Sequence, residues 1–199
     1  KVILNPYSNR WNAQARWLES EAALKAASVD FELAVSERKG HIIELAEQAA
    51  RAGYSPIIIA GGDGSIGDAV NGLARAAGPS DKPLGPLGIM PLGSANDLVD
   101  NLGIPRDLAA AAKVIAAGKV DLIDIGKCND RYFANNSAAG LEPYVTTKQE
   151  KIHWIKGVPR YLVAALQGIM DKPEGNAKVE WDDGSFEGPL SLISIGNGP

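Results

Sequence analysis

The segment Gly61-Gly62-Asp63-Gly64-Ser65 lies between the β-branched run Ile57-Ile58-Ile59 and a helical stretch. Strand, glycine turn and helix start, in that order, build an anion site. Glycines let the backbone approach a phosphate closely, and the helix start adds N–H groups and positive partial charge. Ser65 reads as the helix N-cap, with a hydroxyl able to face a ligand. An aspartate in such a loop repels a bare phosphate, so Asp63 makes sense if Mg2+ lies between them. The structural alternative is a plain strand-to-helix turn, which also favours Asp and Gly.

A second loop, Pro91-Leu92-Gly93-Ser94-Ala95-Asn96-Asp97, again follows an apolar strand and precedes a helix. In a parallel sheet both loops emerge at the carboxyl ends of strands, where ligands bind. Asn5-Pro6-Tyr7-Ser8 follows the first strand at the same edge, and Leu122-Ile123-Asp124 brings a further carboxylate to that side. Convergence of Asp63, Asp97 and Asp124 in a metal–water network is a geometric hypothesis, because each alone is an ordinary cap or surface carboxylate.

Rival chemistries fit less well. The Walker A pattern is absent. Gly62, Gly64 and Gly67 match G-x-G-x-x-G, but the next strand ends Ile89-Met90-Pro91-Leu92-Gly93 without the acid that would hold a ribose. That loop also follows the third strand rather than the first. His41 and His153 are separated and have no evident nucleophilic partner, so a Ser–His–Asp hydrolase is unsupported.

The elements that must position these loops follow from apolar periodicity. Val2–Leu4, Phe31–Val35, Pro56–Ala60 and Leu87–Met90 read as strands; the isoleucine run suits a strand buried on both faces. Helices are expected at Trp11–Ala27, with Trp11, Ala15, Leu18 and Ala22 inward, and at His41–Ala52, with Ile42, Leu45 or Ala46, and Ala49 inward. Further helices are expected at Ser65–Ala77, Asn96–Leu102 and Leu108–Ala117. The alternation predicts an α/β domain over residues 1–125, a mainly parallel sheet with helices on both faces.

After about Gly126 the pattern becomes β-rich. Arg131–Asn135, Ala177–Trp181 and Leu190–Ile195 read as strands, with the turn Asp182-Asp183-Gly184-Ser185 between the last two and a helix at Pro159–Met170. Residues 126–199 are therefore expected to be part of a second, incomplete β-rich domain. Trp154, Tyr161 and Leu162 are expected in its core rather than against lipid.

The chain has 199 residues, of which 45% are apolar and 22% charged, enough to bury a core. A net charge of −4 offers no broad basic surface for nucleic acid or anionic lipid, which leaves room for a local basic patch. The single cysteine, Cys128, forms no internal disulfide and reads as a buried thiol, in keeping with a reducing cytoplasm. No apolar run reaches the ~20 residues that span a bilayer, and no signal peptide is evident. Both ends look cut.

Three ordered segments, Asn5-Pro6-Tyr7-Ser8, Gly61 to Ser65 and Pro91 to Asp97, resemble the motifs of diacylglycerol-kinase catalytic domains, which bacterial lipid kinases and sphingosine and ceramide kinases share. Further echoes are Ser36 to His41, Ile123-Asp124-Ile125-Gly126, Asn135 to Leu141 and the closing Gly196-Asn197-Gly198. The resemblance implies a two-domain, NAD-kinase-like fold with a β-sandwich-type second domain and ATP in the cleft between the two. It implies phosphates on Gly61, Gly62, Gly64 and Ser65, and Asn5, Ser8, Ser36, Gly93, Ser94 and Asn96 lining the nucleotide site. Asp63 would be catalytic through Mg2+, in an acidic network with Asp97 and Asp124. The acceptor would be a lipid hydroxyl such as that of diacylglycerol, met by a cytoplasmic protein visiting the membrane surface, with a homodimer left open.

Three departures accompany the likeness. Asn9 stands where the first motif has glycine. Ser65 and Ser94 stand where threonine is usual. The family's general-base aspartate, in a later Asp-Gly motif, would lie beyond Pro199; Asp183-Gly184 reads as a hairpin turn instead. Two other readings are kept: a soluble kinase acting on a nucleotide or sugar, and a nucleotide-binding regulatory module without catalysis.

Overall fold

A computed structural model describes residues 1–80, 82–152, 155, 158–171 and 174–197; His153, Trp154 and Gly198 lie outside the described residues. The chain divides into two compact units, Lys1–Asn135 with Asn197–Pro199, and Asn136–Gly196.

The first unit carries β1 (Val2–Leu4), α1 (Asn12–Ala26), β2 (Leu33–Val35), α2 (His41–Arg51), β3 (Ile57–Gly61), α3 (Asp63–Ala77), β4 (Leu87–Pro91), α4 (Asp97–Asn101), α5 (Leu108–Ala117), β5 (Gly126–Cys128) and β6 (Arg131–Phe133). The first four strands form one parallel sheet in the order β2-β1-β3-β4. Helices cover both of its faces, as alternation of side chains along the strands demands. Ile3, Ile57, Ile59 and Ile89 pack with Ile42 and Ala46 of α2 and with Ile66, Ala69 and Leu73 of α3. Val2, Leu4, Ile58, Ala60 and Met90 pack on the opposite side with Ala13, Trp17 and Leu24 of α1 and Leu108 and Ala111 of α5. The triple isoleucine thus feeds two cores from one strand, and all of β3 is buried.

Sequence periodicity misplaced one helix face. Trp11, Ala15, Leu18 and Ala22 are exposed, Trp11 by 64% and Leu18 by 74%, while Ala13, Trp17, Ser20 and Leu24 are buried. Both sets share the spacing i, i+4, i+7, i+11 and both contain a tryptophan and a leucine, so α1 offers two apolar stripes. Packing beside α5, with Phe31 edge-on to Trp17 at 6.1 Å, selects the second.

The expected boundary near 125 precedes the β5–β6 hairpin, which packs on α3. The buried Asn71 amide accepts from Tyr132 N–H at 2.9 Å and donates to Tyr132 C=O at 2.8 Å and to Gly67 C=O at 2.7 Å. Arg131 adds an ion pair with Asp68 at 3.0 Å. Asn71→Ala strands a donor and an acceptor against the apolar side of α3. It is expected to destabilise the unit by about 2–3 kcal/mol, measurable by denaturant titration. Cys128 is exposed near the tip of this hairpin, against the expectation of burial, because among the described residues β5 pairs only with β6.

The second unit holds β7 (Asn136–Gly140), α6 (Leu141–Lys151), α7 (Val158–Asp171), β8 (Gly175–Trp181), β9 (Gly184–Leu190) and β10 (Leu192–Gly196). β7 pairs antiparallel with β10, and β8 with β9 across the two-residue turn Asp182-Asp183. The expected hairpin exists, but its second arm starts at Gly184 rather than Leu190. α6 went unpredicted because its polar sequence carries no apolar stripe. It packs with α7 around Val145, Ile152 and Ala164, and Tyr144 and Lys148 hold Asp171 at 2.7 and 2.6 Å. Tyr161 and Leu162 are each 53% exposed, contrary to a core placement, since α7 turns Ala164 and Gly168 toward α6 instead.

Candidate functional site

The loops after β1, β3 and β4 start from the carboxyl ends of the parallel strands, and ladder hydrogen bonds continue one residue past β1, β2 and β4. Asn5 N–H donates to Ala60 C=O at 2.9 Å, Leu92 N–H to Gly61 C=O at 2.9 Å, and Ser36 N–H to Leu4 C=O at 2.8 Å. β1 lies between β2 and β3, so the chain reverses its direction across the sheet there. The loops after β1 and β3 lead to helices on opposite faces, which makes this a topological switch point, the usual ligand crevice of a parallel sheet.

Across that switch point three sequence-predicted residues meet. Asn5 Nδ2 donates to Ser65 Oγ at 2.8 Å, and Ser8 Oγ lies 3.3 Å from the same oxygen. Ser65 is 4% exposed, so its hydroxyl tethers the first loop to the third rather than facing outward. It is also not the N-cap. α3 begins two residues earlier, with Gly62 as N-cap, so Ser65 sits inside the first turn. The glycines extend the helix backward past the serine. Asp63 and Gly64 then open α3, and their N–H groups have no carbonyl one turn back to bind.

Gly62 and Gly93 are where the two glycine loops cross. A Cβ on Gly62 would stand 2.8 Å from Gly93 Cα, and one on Gly93 would strike both Gly62 Cα and Asn96 Oδ1. No side chain fits either position, so the backbones approach as a phosphate cradle requires. Asn96, at φ +56°, donates from Nδ2 to Gly93 C=O at 3.2 Å, while its buried Oδ1 has no partner among the described residues. An orphan acceptor at this crossing suits a water or hydroxyl brought in with a ligand.

Asp63 has a structural task beside any chemical one. Its Oδ1 accepts from Leu98 N–H at 3.0 Å, which caps α4, and its charge suits the N-terminus of α3. The same contact sets Asp63 beside the first turn of α4, which Asp97 opens. Asp124 is exposed and is engaged through its backbone, its C=O accepting from Asn197 Nδ2 at 2.6 Å. Ser36 is buried, its hydroxyl donating to Arg38 C=O at 3.3 Å. Among the described residues no three His, Cys, Asp or Glu side chains form a metal cage. Mg2+ does not demand one, because it keeps waters and takes one or two carboxylates together with phosphate oxygens. Asp63 and Asp97 fit that donor set.

Asn9 resolves its own anomaly. It adopts φ +51°, a left-handed conformation that asparagine tolerates, and its Oδ1 accepts from Ser94 Oγ at 2.9 Å. Asn9 therefore takes a left-handed backbone, which glycine adopts freely, and adds a tie to the β4–α4 loop.

Arg106 escaped the sequence reading, since a lone basic residue after Ile-Pro carries no signal. Its guanidinium pairs with both Asp100 carboxylate oxygens and donates to Ala95 C=O at 2.6 Å, so it clamps the loop that carries Asn96. Asp100 holds the Arg106 pKa above its ordinary value, with smaller contributions from Asp97 and Asp63, and Arg106 holds Asp100 below 3.8. A depressed carboxylate pKa stabilises the fold above the unfolded value and loses that effect as pH falls through the folded one. Arg106→Met is expected to speed amide hydrogen exchange in α4 at neutral pH. Acidification below pH 3.8 should narrow its difference from the parent chain.

Residues 1–128 match the model of the diacylglycerol kinase catalytic domain. The diacylglycerol kinases of Staphylococcus aureus strains bovine RF122 / ET3-1 and MRSA252 are each 31% identical over 98% of this chain. The crystal structure of a diacylglycerol kinase from Bacillus anthracis str. Sterne aligns over 99% of the chain with TM-score 0.72 and 25% identity. The chain spans 61% of the length of the Staphylococcus aureus proteins and 63% of the Bacillus anthracis chain. By its matched residues, its motif-bearing loops and its fold, the chain belongs to the diacylglycerol kinase catalytic domain family.

Proposed function

We propose that the chain forms the nucleotide-binding part of an ATP-dependent lipid kinase that phosphorylates a lipid hydroxyl such as that of diacylglycerol. The observation that carries the reading is the crossing of Gly62 and Gly93 beside the open start of α3. Phosphates of ATP would lie against Gly61 to Ser65 and Gly93, with Asn5, Ser8 and Ser94 fixing the loops around them. Asp63 and Asp97 would hold Mg2+, which supplies charge neutralisation at the transferring phosphoryl group. The protein's remaining work is positioning. Ser65, Asn9 and Arg106 tie the loops together so that the N–H groups are preorganised before the nucleotide arrives.

A lipid acceptor implies transient contact with a membrane surface. No described helix is long and apolar enough to cross a bilayer. The family match and the relatives' names support the lipid over a soluble acceptor. Incubating the full-length protein with labelled ATP, Mg2+ and a panel of diacylglycerol, phosphatidylglycerol, sphingosine and NAD tests the assignment. Label is expected on diacylglycerol or a lipid of that kind. Label on NAD alone would sink the lipid reading, and tight ATP binding with no transfer would favour a regulatory module.

A further inference from the structure

The loop after β1 has a feature that phosphate binding leaves unused. Asn9, Arg10 and Trp11 are all left-handed, at φ +51°, +55° and +74°. Asparagine adopts this region readily, but arginine and tryptophan do so at a cost, and three in succession must be held by their surroundings. The hold is visible. Tyr7 N–H donates to Asn5 Oδ1 at 3.1 Å, Tyr7 Oη donates to Glu37 C=O at 2.7 Å, and Ser94 Oγ fixes Asn9.

The strained run delivers Trp11 to the surface. Its ring meets that of Tyr7 at 4.5 Å and 82°, yet Trp11 stays 64% exposed. The other tryptophan of this region, Trp17, is 8% exposed in the core, so the contrast lies within a few residues. Position matters as much as exposure. Asn5, Ser8 and Asn9 of this loop touch Ser65 and Ser94 of the glycine loops, and Trp11 follows Asn9 by two residues, its ring against a tyrosine whose Oη reaches Glu37 after β2.

We propose that Trp11, braced edge-on by Tyr7, is the platform on which the purine base of the bound nucleotide stacks. The proposal rests on the reading that the glycine loops hold that nucleotide's phosphates, and it adds a base-recognition residue to them. Stacking on an indole needs no hydrogen-bond match, so the platform would accept any purine and discriminate against a bare polyphosphate chain. Leu18 is exposed on the same side of α1, so docking of a lipid surface is the competing use of this stripe.

Isothermal titration of Mg2+-ATP and Mg2+-tripolyphosphate into the chain and its Trp11→Ala and Trp11→Phe variants separates these uses. Trp11→Ala is expected to weaken ATP by about tenfold and leave tripolyphosphate unchanged, with Trp11→Phe between the two for ATP. Equal ATP affinity in all three proteins, with tripolyphosphate still bound, overturns the platform and leaves the phosphate loops standing. So does a Trp11→Ala variant that loses only its binding to phosphatidylcholine–diacylglycerol vesicles. If the parent chain binds neither ATP nor tripolyphosphate, the phosphate-loop reading fails and the platform with it. Trp11 lies outside both cores, so the variants are expected to fold, which far-UV circular dichroism checks.

Discussion

Gly93→Ala is expected to abolish measurable nucleotide binding and to destabilise the first unit by about 2–3 kcal/mol, although it adds a single methyl group. The methyl would meet backbone, Gly62 Cα, and the buried Asn96 Oδ1, and neither can rotate aside as a long side chain would. Relief requires the loops after β3 and β4 to part. Both are pinned, the first by the start of α3 and the Ser65 tethers, the second by Leu92 N–H on Gly61 C=O. Gly64→Ala is the control, because a Cβ there meets nothing within 4 Å. Its effect on stability is expected to stay within about 0.5 kcal/mol. Denaturant titration of the two variants side by side, and ATP titration of Gly93→Ala against the parent chain, check both halves of the statement.

Asp63→Asn is expected to lower the phosphoryl-transfer rate by about 10²–10³-fold while costing at most about 1 kcal/mol in stability. The amide keeps a carbonyl oxygen for Leu98 N–H, so α4 stays capped while the charge that would hold Mg2+ is lost. Asp63→Ala removes cap and charge together, leaves the Leu98 N–H unpaired, and should cost about 1–3 kcal/mol on top of the same rate loss. A transfer rate unchanged in Asp63→Asn would confine this residue to capping. Measuring rate and melting together therefore separates the two tasks.

The sheet and its loops were legible because several signals agreed locally. Ile57-Ile58-Ile59 reads as a strand buried on both faces, which it is, and the glycines after it mark where that strand passes into α3. The motif-bearing loops then had to share one edge, since parallel strands all end on the same side. Where the sequence failed, two patterns were equally good or none was present. Trp11-Ala15-Leu18-Ala22 and Ala13-Trp17-Ser20-Leu24 have identical spacing, and only packing against the sheet, Phe31 and α5 decides between them. α6 has no apolar stripe to read.

Within the site, residue type predicted membership better than role. Ser65 belongs to the glycine loop as expected, but its hydroxyl is consumed by Asn5 and Ser8. Asn9 looked like a defect because a left-handed asparagine cannot be told from an ordinary one by sequence. Arg106 and the Tyr7–Trp11 pair depend on contacts across loops, which no local pattern encodes.

The most direct measurement of the central claim is backbone amide NMR of the chain as Mg2+-ATP is added. The N–H resonances of Gly62, Asp63, Gly64 and Gly93 are expected to shift most, and to do so with tripolyphosphate as well. ATP binding that leaves those four amides unmoved and shifts others instead would contradict the assignment of Gly61 to Ser65 as the phosphate loop.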